Sequence, residues 1–185
     1  MEKQDKQAVI DHQLIQMVRR RLNEGEKVVV TVNGRSMLPL LKPNDKILLE
    51  HAQPNQLNQG DIITVDCAST LLTHRFWGYE HNAEQLLTRG DRQFTFDTPH
   101  TCNQLLGKVT LRQRGNLNFQ QGPGRRLNDY LRWVFTISYK LETLLKKESD
   151  HTKTTTLHHF MSRLVRYWTI GSTTGVTKVV DLLLP

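Results

Sequence analysis

The middle of the chain, from residue 27 to residue 121, alternates short apolar segments with turn-forming residues. Several of these segments are rich in the β-branched residues that favour strands. Predicted strands lie at 27–32, 45–50, 61–66, 71–79, 84–88, 103–113 and 117–120. Polar residues around His81-Asn82 and the pair Gly115-Asn116 are expected to form turns. This succession of short strands predicts a mainly β fold, either a compact β-barrel or a folded mixed sheet.

Both ends of the chain have helical periodicity instead. Apolar residues recur every three or four positions over 5–24 and again over 125–147. A polar linker is expected at 148–156, a short helix at 157–167, and a loop at 171–175. We therefore predict an N-terminal amphipathic helix (1–26), a β domain (27–121) and a basic helical C-terminal extension (125–185).

The net positive charge is concentrated in the C-terminal extension. The chain has 25 Lys and Arg against 18 Asp and Glu, and residues 125–185 hold ten of the former and five of the latter. Aromatic residues are interspersed among these basic ones. Residues 125–168 are therefore expected either to contact a membrane surface peripherally or to pack on the domain or another subunit. No motif that reads nucleic acid is present, so no nucleic acid is expected as a partner. The oligomeric state is not indicated.

Composition excludes several classes of protein. Two cysteines, Cys67 and Cys102, are too few for a disulfide framework or an ordinary zinc site, so neither metal nor cofactor is expected. The first residues are polar and contain no apolar signal-peptide core. No run of about 18 apolar residues occurs, so no transmembrane helix is expected. These features predict a cytoplasmic or peripheral membrane protein.

Ser36 lies in a turn directly after the first predicted strand, within the sequence Gly-Arg-Ser-Met-Leu-Pro. Such residues are common in ordinary turns, and a serine is a weak nucleophile unless a base lies beside it. His74 is a candidate for that base, because an imidazole titrates near neutral pH. Asp91 and Asp97 are candidates to orient the histidine or to brace its loop.

The order of these motifs along the chain is more specific than any one of them. Gly-x-Ser-Met-x-Pro at 34–39 is followed by Asp45, Gly-Asp-Ile-Ile at 60–63, His-Arg at 74–75, Thr-Arg-Gly-Asp at 88–91 with Asp97, and Leu-Gly-Lys-Val at 106–109. The series resembles the signal peptidase family of serine endopeptidases. Bacterial members and the related SOS-response repressors use a lysine as base, and His74 stands in its place here. The chain is therefore similar to the archaeal and endoplasmic-reticulum type, which uses a histidine.

This resemblance implies a fold, an activity and roles for named residues. Residues 27–121 would form a signal-peptidase-like catalytic β domain, and the family's transmembrane anchor would be absent. Ser36 would be the nucleophile and His74 the general base and acid, with Asp97 orienting His74 and Asp91 in support. The enzyme would cleave a leader or signal-like segment from a peptide or precursor-protein substrate.

The resemblance also places a substrate-binding and oxyanion region at Gly34, Ser36, Met37 and Leu38. The Ser36 N–H is the expected first donor to the oxyanion. Many members carry a second serine two positions before the nucleophile, where this chain has Gly34. Because a side-chain donor is missing there, a non-catalytic regulatory or protein-binding module on the same fold stays open as the alternative.

Overall fold

The computed structural model describes residues 2–67, 70–80, 84–149 and 155–183. They form three α-helices: α1 (Glu2–Asn23), α2 (Gly122–Ser149) and α3 (Thr155–Leu183). The strands are β1 (Val28–Thr31), β2 (Lys46–Glu50), β3 (Ile62–Cys67), β4 (Thr70–Glu80), β5 (Gln85–Arg89), β6 (His100–Thr101), β7 (Leu105–Arg112) and β8 (Leu117–Asn118). The turn predicted at His81-Asn82 and the middle of the predicted linker lie outside the described residues.

The described strands form one antiparallel sheet, in the order β1-β2-β7-β3-β4-β5-β6, with β8 beside β7. β7 lies between β2 and β3, so it joins the pair β1–β2 to the strands β3–β6 in a single sheet. Register shifts interrupt the pairings of β2 with β7, β3 with β7, and β4 with β5. Such irregularities bend strands. The prediction of a folded sheet with an N-terminal helix and a helical C-terminal extension is confirmed, and the described strand pairs are all antiparallel.

The larger apolar cluster connects the sheet with both flanking helical regions. It contains Leu22 of α1, Ile47 of β2 and Leu131 of α2, none of which is exposed to solvent. Burial of one such side chain stabilises a fold by about 1.5–3 kcal/mol. A smaller cluster fills the space beside β3, β4 and β5 and includes Ile63, Phe76 and Leu86. The first helix of the C-terminal extension thus shares a core with the strands.

The prediction of a loop at 171–175 is wrong, because α3 continues through these residues to Leu183. The short helix predicted at 157–167 is the beginning of this longer one. The Thr173 hydroxyl donates to the Thr169 carbonyl within the helix (2.7 Å), so the threonines do not leave unsatisfied polar groups. Gly171 and Gly175 each lower helix stability by about 1 kcal/mol relative to alanine. Packing of α3 against α2 offsets this local cost.

Side chains on α3 are distributed in an unusual way. Thr169, Thr173 and Thr177 are at most 3% exposed, whereas Trp168 and Leu182 are 47% and 84% exposed. The helix therefore directs its threonines toward the protein and large apolar groups toward solvent. Among the described helices, none has both the length and the apolar composition needed to cross a membrane.

Candidate active site

The loop that carries Ser36 leaves β1 and returns to β2, and backbone hydrogen bonds close its ends. The Val32 N–H donates to the Asp45 carbonyl (2.8 Å), and the Asn44 N–H donates to the Val32 carbonyl (2.7 Å). Three apolar side chains of the loop are buried in the core: Met37, Leu40 and Leu41. The loop is therefore held at both ends and in its middle.

Two arginines from the end of β7 and the turn after it stabilise the same loop. Arg112 is fully buried, and its Nη1 donates to the Leu40 carbonyl (2.7 Å). Arg114 donates to both carboxylate oxygens of Asp45, at 2.6 and 2.9 Å. Hydrogen bonds to charged groups are among the stronger ones in proteins. This network fixes the base of the loop relative to the sheet.

The structure brings Ser36, His74 and Asp97 into one chain of hydrogen bonds. Ser36 Oγ lies 2.8 Å from His74 Nε2, and Asp97 Oδ2 lies 2.6 Å from His74 Nδ1. With its proton on Nδ1, the imidazole accepts a hydrogen bond from the serine and donates one to the carboxylate. His74 is 2% exposed, so its ring has little freedom to turn. This order of contacts suits transfer of the serine proton to a histidine oriented by a carboxylate.

Thr88 completes the surroundings of Asp97. Its hydroxyl donates to Asp97 Oδ2 (2.6 Å), and its carbonyl accepts from the Asp97 N–H (3.0 Å). Burial raises the pKa of the Asp97 carboxyl, but the hydrogen bonds from His74 and Thr88 outweigh burial and hold that pKa below its ordinary value. Asp97 is therefore kept ionised beside the imidazole.

Asp91 has a different partner. Its two carboxylate oxygens accept from Arg75 Nε (2.7 Å) and Nη2 (2.8 Å), and both side chains are 1% exposed. The sequence left open which aspartate orients the histidine, and in the structure Asp97 contacts His74. Among the described residues, the Asp91 carboxylate is hydrogen-bonded to neither Ser36 nor His74. Asp91 is a bracing residue rather than a member of the hydrogen-bonded chain.

The residues beside Asp91 contact the main chain of Ser36. The Arg92 N–H donates to the Ser36 carbonyl (2.7 Å). A Cβ atom added at Gly90 would lie only 2.9 Å from the Ser36 Cβ and from its carbonyl oxygen. A larger residue at position 90 would therefore displace one of the two loops. The Gly-Asp turn thus brings the loop after β5 against the candidate nucleophile.

A groove of about 400 Å³ opens beside Ser36. Its walls come from the end of β1, the start of β4 and one face of α1. Gly34, Ser36 and Met37 line this groove, although Met37 is only 2% exposed. Leu38, predicted to share the same wall, does not line the groove and lines a second cavity instead.

The predicted oxyanion site requires hydrogen-bond donors near Ser36, from the backbone or from side chains. Within the described part of the chain, the Ser36 N–H has no hydrogen-bond acceptor, which leaves it available to a ligand. Gly34 offers no side-chain donor. A Cβ at this position would lie 3.8 Å from Ser36 Oγ, an ordinary contact distance.

Several residues around the site received no role from the sequence. Thr88 and Arg75 belong to the motifs at 88–91 and 74–75, but nothing local indicates that they bond to Asp97 and Asp91. His100 is 5% exposed, and burial lowers its pKa. It is one of eight histidines, and the sequence contains no signal that distinguishes it.

Comparison of the chain with protein-family models finds no match, and a search of curated proteins finds none either.

Replacing Asp97 by Asn is expected to lower the free energy of unfolding at neutral pH by about 1–3 kcal/mol, because hydrogen bonds to an ionised acceptor are lost. A carboxyl whose folded pKa is lowered stabilises the fold fully above its ordinary value of 3.8 and loses that contribution as pH falls through the folded pKa. The difference between wild type and Asp97→Asn should therefore shrink in strongly acidic solution. Urea unfolding over this pH range measures it.

Asp129→Asn provides the control, since Asp129 is an exposed carboxylate on α2. This substitution should change stability little at any pH. If the free energy of unfolding of Asp97→Asn stays below that of wild type by the same amount from neutral to strongly acidic pH, the role assigned to the ionised carboxylate is contradicted.

Proposed function

We propose that the protein is a serine endopeptidase, similar to signal peptidases that use a histidine base, and that it cleaves a leader or signal-like segment. The observation that carries this proposal is the hydrogen-bonded chain from Ser36 Oγ through His74 to Asp97. These residues come from three separate loops and strands. A nucleophile, its base and an orienting carboxylate within hydrogen-bond distance are what acyl transfer requires.

The proposed reaction has two stages. Ser36 Oγ forms a bond to the substrate carbonyl carbon while its proton moves to His74 Nε2. The C–N bond then breaks, and the same proton passes to the leaving amine. Water hydrolyses the resulting ester by the same path and restores the Ser36 hydroxyl. Asp97 stabilises the imidazolium formed in each stage, and its lowered pKa keeps it ionised.

The groove beside Ser36 supports an extended peptide as substrate. Its walls include Val30, Leu71 and Leu72, so its sides are apolar. In the described sheet β1 pairs with β2 alone, which leaves the outer backbone edge of β1 without a strand. A peptide can add to such an edge through main-chain hydrogen bonds and present alternate side chains to the walls. An added strand would run directly toward the Ser36 turn.

Ser36→Ala and His74→Ala are each expected to reduce cleavage of small-residue leader peptides by at least about 10³-fold, because each removes one half of the proton-transfer pair. Mass spectrometry of the peptide products measures the loss. Ser172→Ala and His51→Ala serve as matched controls that lie away from this pair and should retain activity. Labelling of Ser36 Oγ by a fluorophosphonate, which forms a phosphonyl ester and releases fluoride, should likewise require His74. Equal cleavage by wild type and both site variants, or no labelling, would favour the non-catalytic module.

Gly34→Ser is expected to raise kcat by up to about 10²-fold, since one oxyanion donor contributes about that factor or more in serine proteases. The added Cβ fits, at 3.8 Å from Ser36 Oγ, and the hydroxyl would be a second donor beside the Ser36 N–H. Gly34→Ala is the control, because it adds the same Cβ without a donor. Equal rates for the two variants in steady-state cleavage assays would exclude this effect of the hydroxyl.

We further propose that the protein attaches peripherally to an anionic membrane surface through the outer face of α3. Apolar residues of this face are 41–84% exposed: Met161, Leu164, Trp168, Val179 and Leu182. Arg163 and Lys178 are exposed on the same helix and have no ion-pair partner among the described residues. Aromatic and apolar groups beside unpaired cations suit a lipid interface with negative headgroups. The sequence had located such contact within 125–168, whereas the exposed apolar residues continue to Leu183.

The protein should co-sediment with phosphatidylserine-containing vesicles, and binding should weaken with added salt or with phosphatidylcholine alone. Trp168→Glu should reduce binding by at least about tenfold, because it opposes both apolar burial and negative headgroups. Gln53→Glu adds the same charge at an exposed site elsewhere and should have little effect. A soluble dimer that Trp168→Glu dissociates would show that a second copy covers this face, and would overturn the membrane proposal.

A further inference from the structure

A second cavity, of about 250 Å³, lies between α3 and the loop that carries Ser36. Four parts of the chain line it. They are the Ser36 loop through Leu38 and Pro39, the loop after β5 through Arg92 and Phe94, α2 through Phe135, and α3. It is distinct from the groove, because the two share no lining residue: Gly34, Ser36 and Met37 line the groove, whereas Leu38 and Pro39 line the second cavity.

The helix above this cavity is fixed at two separated points. Near its C-terminal end, Asp181 accepts hydrogen bonds from Arg112 (2.6 Å), Arg114 (2.5 Å) and Lys42 (3.2 Å). Nearer its beginning, Arg166 donates to Glu142 of α2 (2.8 Å) and lies over the Phe94 ring. The cavity lies between these two attachments, so its walls have a defined separation.

Small side chains keep the cavity open. Thr169, Thr173 and Thr177 line it, and each hydroxyl donates to a carbonyl one turn earlier in α3. Their polar atoms are therefore satisfied within the helix, and their methyl groups remain for contact. Leucines at these positions would fill the space, whereas the threonines preserve it.

The lining combines an apolar surface with unpaired positive charge. Leu38, Pro39 and Phe135 supply apolar surface, and Arg92 and Lys178 are exposed cations at the rim. Neither cation has an ion-pair partner among the described residues. The two acidic residues of the lining are already paired with basic side chains: Asp91 with Arg75, and Asp181 with Lys42, Arg112 and Arg114. The cavity therefore suits an apolar side chain that is followed by a negative group.

We infer that this cavity is a specificity site for the part of the substrate on the far side of the scissile bond from the groove. It would accept a large apolar residue next to an acidic residue. The inference rests on the proposed peptidase function, because it takes Ser36 as the point where the bound peptide crosses from one cavity to the other. Met37 lines the groove and the next residue, Leu38, lines the second cavity. Arg92, which also lines the second cavity, donates its N–H to the Ser36 carbonyl (2.7 Å), so both openings adjoin the same short stretch of the Ser36 loop.

The test uses peptides that share a groove-side sequence and an Ala-Ala cleavage site, and that carry Leu-Glu, Ala-Glu or Leu-Gln beyond it. Each set is made with the variable pair on either side of the Ala-Ala bond. When the variable pair lies on the side of the Ala-Ala bond that reaches the second cavity, wild type should cleave the Leu-Glu peptide with a kcat/KM at least about tenfold higher than the Ala-Glu peptide. This ratio is expected for a large apolar group in a fitted pocket. On the other side of the bond the pair should have no such effect. Lys178→Gln should diminish the preference for Leu-Glu over Leu-Gln.

Thr173→Leu fills the cavity and should abolish the preference for Leu over Ala, because kcat/KM for the Leu-Glu peptide falls toward that for the Ala-Glu peptide. Val179→Leu adds a similar volume on the outer face of α3 and should leave the preference intact. Thr174→Leu, at a half-buried lining position, replaces Thr173→Leu if thermal melting shows that the latter is unfolded. If Thr173→Leu lowers kcat/KM equally for all peptides, or if wild type cleaves the Leu-Glu, Ala-Glu and Leu-Gln peptides equally well, the inference is overturned.

Failure of the proposed function can be separated from failure of this site. If wild type cleaves none of the peptides, fluorescence anisotropy with the dye-labelled Leu-Glu peptide and Ser36→Ala protein tests the cavity alone. Binding that Thr173→Leu weakens at least about tenfold and Val179→Leu does not would support a binding site without catalysis. Absence of binding, or equal effects of the two substitutions, would exclude the cavity as a peptide site.

Discussion

The buried pair of Arg75 and Asp91 determines how the parts of the candidate site meet. Removing either partner would leave an uncompensated charge in the interior, which commonly costs about 3–5 kcal/mol. Two parallel hydrogen bonds join the pair, and Arg75 also donates to the Gly60 carbonyl (2.8 Å) and to Asn128 of α2 (2.6 Å). Arg75 follows the candidate base in β4, and Asp91 lies in the turn that contacts Ser36. One ion pair thus connects the strand that carries the base with the turn that contacts the nucleophile.

Charged side chains also attach the helical extension to this region. Asp181 of α3 and Asp45 of the Ser36 loop share the guanidinium of Arg114. Arg89 of β5 lies 4.2 Å from the Trp77 ring centroid and 5.5 Å from that of Tyr139 on α2. Burial lowers the pKa of Arg89 to about 10, yet it remains charged at neutral pH beside these aromatic rings. The extension is therefore coupled to the loops of the site and contributes the second cavity.

Much of the fold could be predicted because its signals are local. Alternating and β-branched residues located seven of the eight described strands to within a few positions, and periodicity located α1 and α2. The two-residue strand β6 was not predicted, because it is too short to show a pattern. The prediction of a loop at 171–175 was wrong for a physical reason. Glycine and threonine favour turns in isolation, but α3 packs against α2 and is fixed by Arg166 and Asp181, and these contacts override local preference.

By itself, the sequence determined the strand-rich centre, the helical ends, and the residue types and order from Ser36 through His74 to Asp97. Tertiary structure alone decided that these three meet, because His74 is 38 residues from Ser36 and only the sheet brings them to 2.8 Å. It also assigned Asp97 to the histidine and Asp91 to Arg75. Two aspartates six residues apart are chemically equivalent along the chain, and they differ only in what the fold places beside them.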